Sequence, residues 1–184
     1  MKILAVDQAR NGAWAIFDYE EKRLLTYGTF SYGNRDYTYA KAILAIETLL
    51  DGVVREHGID AVFLEDIQMR RNVKSFKRLA QLQGVLINLC ERNDYLYDFV
   101  APTRWQNYCR ARGRSSKEIE KNIMCATGER KASKVFSIEM VKELYGIETE
   151  NDNLADAVLI GHYVVNNVKL EGKTDAQDGT EIDV

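Results

Sequence analysis

A chain of 184 residues with 46% apolar and 29% charged side chains has the size and composition of one globular domain, which excludes fibrous and wholly disordered classes. No apolar run approaches the roughly 18 residues of a membrane span, and Met1 to Val6 is too short for the apolar core of a signal peptide, so a cytoplasmic location without a membrane partner is expected. The net charge of −3 hides a division: residues 70–134 carry 15 Lys and Arg against 6 Asp and Glu, net +9, while residues 171–184 carry 1 against 5, net −4.

Lys2 to Asp7 is a short apolar run closed by an acid. The turn-like Gln8-Ala9-Arg10-Asn11-Gly12 follows, and Ala13 to Asp18 resumes the apolar pattern, so two tightly joined strands are predicted. Arg23 to Phe30 gives a third. From Asp36 the residues Tyr39, Ala42, Ile43, Ile46, Leu49, Leu50, Val53 and Val54 recur at helical spacing until His57-Gly58, which predicts an amphipathic helix. Ala61 to Glu65 is four apolar residues and an acid, a buried strand that emerges at its last residue. Val73, Phe76, Leu79, Leu86, Leu89 and Cys90 mark a second long helix, Tyr95 to Val100 another strand, and Pro102 to Arg110 a helix opened by its proline. Ser116 to Thr127 and Lys134 to Tyr145 read as short helices, and Leu154 to Val168 as a largely apolar helix packed on the sheet. Cys90, Cys109 and Cys125 form no CxxC pair, which points to reduced thiols, mostly in the core. The order predicts an α/β fold, one domain over residues 1–170 and an acidic tail, 171–184, without fixed structure.

Asp7 ends the first strand, Glu65 ends the fourth, and Asp152 and Asp156 begin the last helix, so three elements each deliver an acid at a terminus. Phosphodiester cleavage with two magnesium ions needs such convergence: hard oxygen ligands around metals roughly 3.5 to 4 Å apart. Each acid alone has a plainer reading, Asp7 and Glu65 as solvated strand ends and Asp152 as the cap of the last helix.

Together they carry a resemblance. Ile3-Leu4-Ala5-Val6-Asp7 with Gly12-Ala13-Trp14-Ala15 resembles the first motif of the RuvC-type Holliday junction resolvases, phage-type members included, and Val62-Phe63-Leu64-Glu65 resembles the second. Phe76 to Val85 is similar to the helix that follows, Val100-Ala101-Pro102 with Gly113 and Lys117 to a later basic stretch, and Asn153-Leu154-Ala155-Asp156-Ala157 to the last motif. The likeness runs from about residue 2 to 168. It implies a ribonuclease H-like fold, a mixed central sheet with helices on both faces, a homodimer, and paired nicking of four-way DNA junctions. It also implies two Mg2+ ions per site, with Mn2+ as a substitute, held by Asp7, Glu65 and Asp156, Asp7 bridging the two.

Two departures matter. The family places a fourth acid three residues before the last aspartate, where this chain has Asn153. At about 100° per residue, Asn153 lies about 60° from Asp156 on one side and Asp152 about 40° on the other, so spacing admits either as a ligand. An asparagine there removes one negative charge and is expected to weaken metal binding, leaving a chain that binds junctions and cleaves them poorly. Asp66-Ile67-Gln68-Met69 also lacks the aromatic that bacterial relatives place after the second motif.

For phosphate contact the candidates are Arg70, Arg71, Lys74, Lys77 and Arg78, at the start of the helix after Glu65, and Arg110, Arg112, Arg114 and Lys117 around Gly113. Their plainer reading is a solvated helix face. The stripe Phe76, Leu79, Leu82 and Leu86 suits a dimer interface or the core. Two other readings stay open: a ribonuclease H-like nuclease acting on RNA, and a non-catalytic protein that binds branched DNA. A phosphotransferase of the actin and sugar-kinase class is disfavoured by the lack of a second domain or a phosphate loop.

Overall fold

A computed structural model describes residues 1–33, 37–68, 72–111 and 132–170, apart from the side chains of 132–134. Among these residues the strands are β1 (Lys2–Asp7), β2 (Asn11–Asp18), β3 (Arg23–Ser31), β4 (Ala61–Glu65) and β5 (Leu96–Val100). The helices are α1 (Tyr39–His57), α2 (Val73–Arg92), α3 (Pro102–Tyr108), α4 (Ala132–Tyr145) and α5 (Asp152–Asn167). The strands form one sheet in the order β3-β2-β1-β4-β5. β1, β2 and β3 pair antiparallel, whereas β4 runs parallel to both β1 and β5, so the sheet is mixed.

Side-chain alternation divides two cores between the sheet's faces. Ile3, Ala5, Ala13, Ala15, Phe17, Ala61 and Phe63 point to the side covered by α3, α4 and α5. Leu4, Val6, Ile16, Val62 and Leu64 point to the other, where α1 and α2 supply Ile46, Leu50, Leu82 and Leu86. Both faces are therefore covered, and β1 and β4 read as unbroken apolar runs because each is buried on both sides. Within the predicted stripe on α2, Leu82 and Leu86 are core, while Phe76 and Leu79 stand half-buried nearer the helix start.

Local chemistry sets the boundaries. Thr38 caps α1 through Lys41, and Gly58 ends it in the left-handed region at φ 62°. Asn72 caps α2 by accepting from the Ser75 amide. The expectation that Asp152 caps the last helix is corrected: Asn151 does so, accepting from the Leu154 amide at 3.1 Å, which puts Asp152 inside the first turn, where its charge suits the helix dipole. β2 begins two residues before the predicted Ala13, because Asn11 and Gly12 already pair with Ser31 and Phe30. Cys90 and Cys109 are free and buried, and burial pushes their thiols up to about 11 and about 12. The predicted helix over 116–127, Cys125 and the tail 171–184 lie outside the described residues. No described helix is long and apolar enough to cross a membrane.

Candidate active site

Position along parallel strands brings the first two acids together. Val6 pairs with Leu64 across β1 and β4, so Asp7 and Glu65 follow as neighbours at the same end of the sheet. Adjacent strands lie about 4.8 Å apart. Both acids continue the alternation of Ile3, Ala5, Ala61 and Phe63, the side that α5 covers. Both are half-buried, and both line one cleft of about 250 Å³ with Gln8, Ala9, Asp66, Ile67, Gln68, Asn72, Ser75, Phe76, Leu79 and Pro102. The first turns of α2 also line the cleft, and an amide-rich helix N-terminus favours an anion.

Two contacts hold Glu65 in place. Trp105 of α3 is fully buried, and its indole N–H, which can only donate, gives its hydrogen to Glu65 Oε1 at 3.0 Å. Gln8 donates from Nε2 to the Glu65 main-chain oxygen at 2.6 Å. Neither role is marked in the sequence: Gln8 reads as part of a turn, Trp105 as an apolar helix residue. Phe76, which reads as core or interface, instead brings an aromatic ring to the cleft whose neighbouring loop lacks one.

The third element contributes differently. Asn153 Nδ2 donates to the Asn11 main-chain oxygen at 3.1 Å, tying the start of α5 to the start of β2, beside the Asp7–Ala13 pair. Asp152, Asn153 and Asp156 are half-buried on the first turns of α5, and Oδ1 of Asp156 is out of solvent. None of the three lines the cleft that Asp7 and Glu65 share. Among the described residues, no three His, Cys, Asp or Glu side chains stand as a group able to hold a metal ion. The groups lining the cleft offer hard oxygens, among them the carboxylates of Asp7, Glu65 and Asp66 and the Gln8 amide, which is the chemistry a hard divalent cation takes. The fit is that of a carboxylate-lined centre on the ends of β1 and β4.

Of the predicted phosphate contacts, Lys74, Lys77 and Arg78 are exposed on α2, the helix that walls the cleft, and Arg78 lies 5.3 Å above the Tyr39 ring. Arg110 is exposed just past α3, in the left-handed region at φ 55°. Arg70, Arg71, Arg112, Arg114 and Lys117 lie outside the described residues.

Residues 9–162 match the family described as crossover junction endodeoxyribonuclease RuvC. The crossover junction endodeoxyribonuclease RuvC of Sulfurovum sp. (strain NBC37-1) is 26% identical over 179 residues, 94% of this chain and 100% of that protein. That of Wolinella succinogenes is 28% identical over 179 residues, 94% of this chain and 98% of that protein. Thermus thermophilus RuvC shares the fold with a TM-score of 0.65 at 15% identity, over 89% of this chain and 92% of that one. The fowlpox virus resolvase, solved with its substrate Holliday junction DNA, does so with a TM-score of 0.56 at 15% identity, over 91% and 99%. The mixed sheet with helices on both faces is thus the ribonuclease H-like architecture of these resolvases, and with the family match extending over most of its length, this chain belongs to the RuvC family of crossover junction endodeoxyribonucleases.

Proposed function

We propose that the Asp7–Glu65 cleft is the centre of a magnesium-dependent endodeoxyribonuclease that resolves four-way DNA junctions. The observation that carries this reading is the meeting of Asp7 and Glu65, from adjacent parallel strands, in one cleft lined by the first turns of α2. Asp7 and Glu65 would hold Mg2+, or Mn2+ in its place, with Asp156 as a further ligand from α5. The bound cation supplies Lewis acidity toward water and a phosphate oxygen. The chain's own residues do the rest: Trp105 and Gln8 orient Glu65, the N-terminus of α2 favours a phosphate, and Lys74, Lys77 and Arg78 neutralise neighbouring phosphates without reading sequence. Arg70, Arg71, Arg110, Arg112, Arg114 and Lys117 extend that contact. A junction has two scissile strands related by two-fold symmetry, so a homodimer of single domains over residues 1–170 supplies one site for each.

Asn153 stands where the family carries an acid, and its amide is engaged with Asn11. Asn153→Asp exchanges that donor for a carboxylate, so it has two expected effects. The metal-free protein melts lower, by about 1 kcal/mol of stability, and junction nicking in magnesium speeds up because a charge is restored beside the cation. Nicking that does not rise would make Asn153 a tie between α5 and β2 and nothing more. A non-catalytic junction binder is the second reading, favoured by the lack of a three-acid group among the described residues. It predicts junction binding without cleavage in both the natural chain and Asn153→Asp.

A further inference from the structure

The cleft contains a buried oxygen that no donor among the described residues meets. Gln8 directly follows Asp7, is 4% exposed, and lines the cleft with Asp7 and Glu65. Its Nε2 donates to the Glu65 main-chain oxygen at 2.6 Å. A carbonyl oxygen only accepts, so that bond fixes which end of the amide is nitrogen and leaves Oε1 on the other side. That Oε1 is out of solvent and has no hydrogen-bond partner among the described residues. Buried acceptors are nearly always satisfied, and one left over in a cleft calls for a partner the protein does not itself supply.

An amide oxygen is a hard, neutral donor of the kind divalent cations take alongside carboxylates. We propose that Gln8 Oε1 is a further protein oxygen of the divalent-cation site formed with Asp7 and Glu65. The inference rests on the metal-dependent reading above and deepens it. It explains why the residue after the first acid is a buried amide rather than an apolar side chain. It also adds a neutral oxygen to the carboxylates of Asp7, Glu65 and Asp66 that line the cleft. The Nε2 bond gives the arrangement rigidity: the same side chain that presents its oxygen is anchored to the strand that carries Glu65.

The test is Mn2+ binding by the DNA-free protein, followed by paramagnetic resonance of free Mn2+, for the natural chain, Gln8→Met, Gln8→Glu and Asp7→Asn. Gln8→Met removes both the oxygen and the donor, whereas Gln8→Glu keeps an oxygen, loses the donor and adds a negative charge. Gln8→Met is expected to weaken Mn2+ binding on the order of ten-fold, and Gln8→Glu to bind at least as tightly as the natural chain. Binding by Gln8→Met within two-fold of the natural chain overturns the proposal. So does an equal loss in both variants, which would assign Gln8 only its bond to the Glu65 backbone. Melting in EDTA reports whether each variant folds, and if Gln8→Met does not, Gln8→Glu decides alone: tighter binding supports the ligand role, weaker binding overturns it. A natural chain whose Mn2+ binding is absent, or unchanged by Asp7→Asn, would instead remove the metal-dependent reading itself.

Discussion

Glu65 illustrates what a single residue needs in order to act. A half-buried carboxylate at a strand end can swing through several rotamers, and one oxygen of Glu65 is denied that freedom by the Trp105 indole at 3.0 Å. Trp105→Phe keeps an aromatic ring of smaller volume and removes the donor. The single-turnover nicking rate at saturating junction is expected to fall by roughly ten-fold to a hundred-fold, while junction affinity by gel shift stays unchanged. An equal fall in affinity would show that Trp105 serves the fold alone. At this scale the acids are legible in the sequence, since an apolar run closed by Asp7 or Glu65 marks a strand end. The residues around them are not legible: Gln8 and Trp105 reach Glu65 across 57 and 40 positions, and which side chains meet across such separations is decided by strand pairing and helix docking.

Elements set the accuracy with which those residues converge. α5 approaches the sheet so closely that a Cβ at Gly161 would stand 2.3 Å from the fully buried Phe17 ring of β2. Gly161→Ala must push the helix or the ring aside, so a loss of about 1–3 kcal/mol is expected in chemical denaturation. The turns of α5 that carry Asn153 and Asp156 would shift with it. The α4–α5 contact is expected to respond to pH. Tyr145 Oη lies 2.6 Å from His162 Nδ1, burial pushes the Tyr145 hydroxyl up so that it stays protonated, and burial holds His162 below the usual imidazole range. The folded state therefore keeps His162 neutral while the unfolded chain protonates it near its ordinary value of about 6.5. Stability is fully present above that value and is lost as pH falls through the lower, folded one. Thermal melts between pH 7.5 and pH 5 should show a decline that His162→Gln, which still accepts from Tyr145, makes shallower; an identical slope would exclude His162 as its source. Helical spacing announces α5 as apolar and sheet-packed. It does not announce the cap, because Asn151 and Asp152 are both good capping residues and only the bond to the Leu154 amide separates them.

Across the whole molecule, two cores on a mixed sheet place the free ends of β1 and β4 at one rim, with α2 and α5 beside it. The unbroken apolar patterning of β1 and β4 makes the double burial legible from sequence. It could not tell how far Asp156 stands from the other two acids, since α5 is docked by its own packing and by the Asn153–Asn11 tie. The basic character of residues 70–134 belongs to this scale as well: Lys74, Lys77 and Arg78 bring exposed positive charge to the helix that walls the cleft, in a chain that is acidic overall. The central claim is that this rim is a metal-dependent cutting site for branched DNA. It is tested most directly by nicking of a synthetic four-way junction in magnesium and in EDTA, with the natural chain, Asn153→Asp, Asp7→Asn and Glu65→Gln. The account predicts paired, magnesium-dependent nicks, faster with Asn153→Asp and at least about a hundred-fold slower without either acid. Cleavage that survives EDTA or the loss of Asp7, or no cleavage by the natural chain and Asn153→Asp alike, would contradict it.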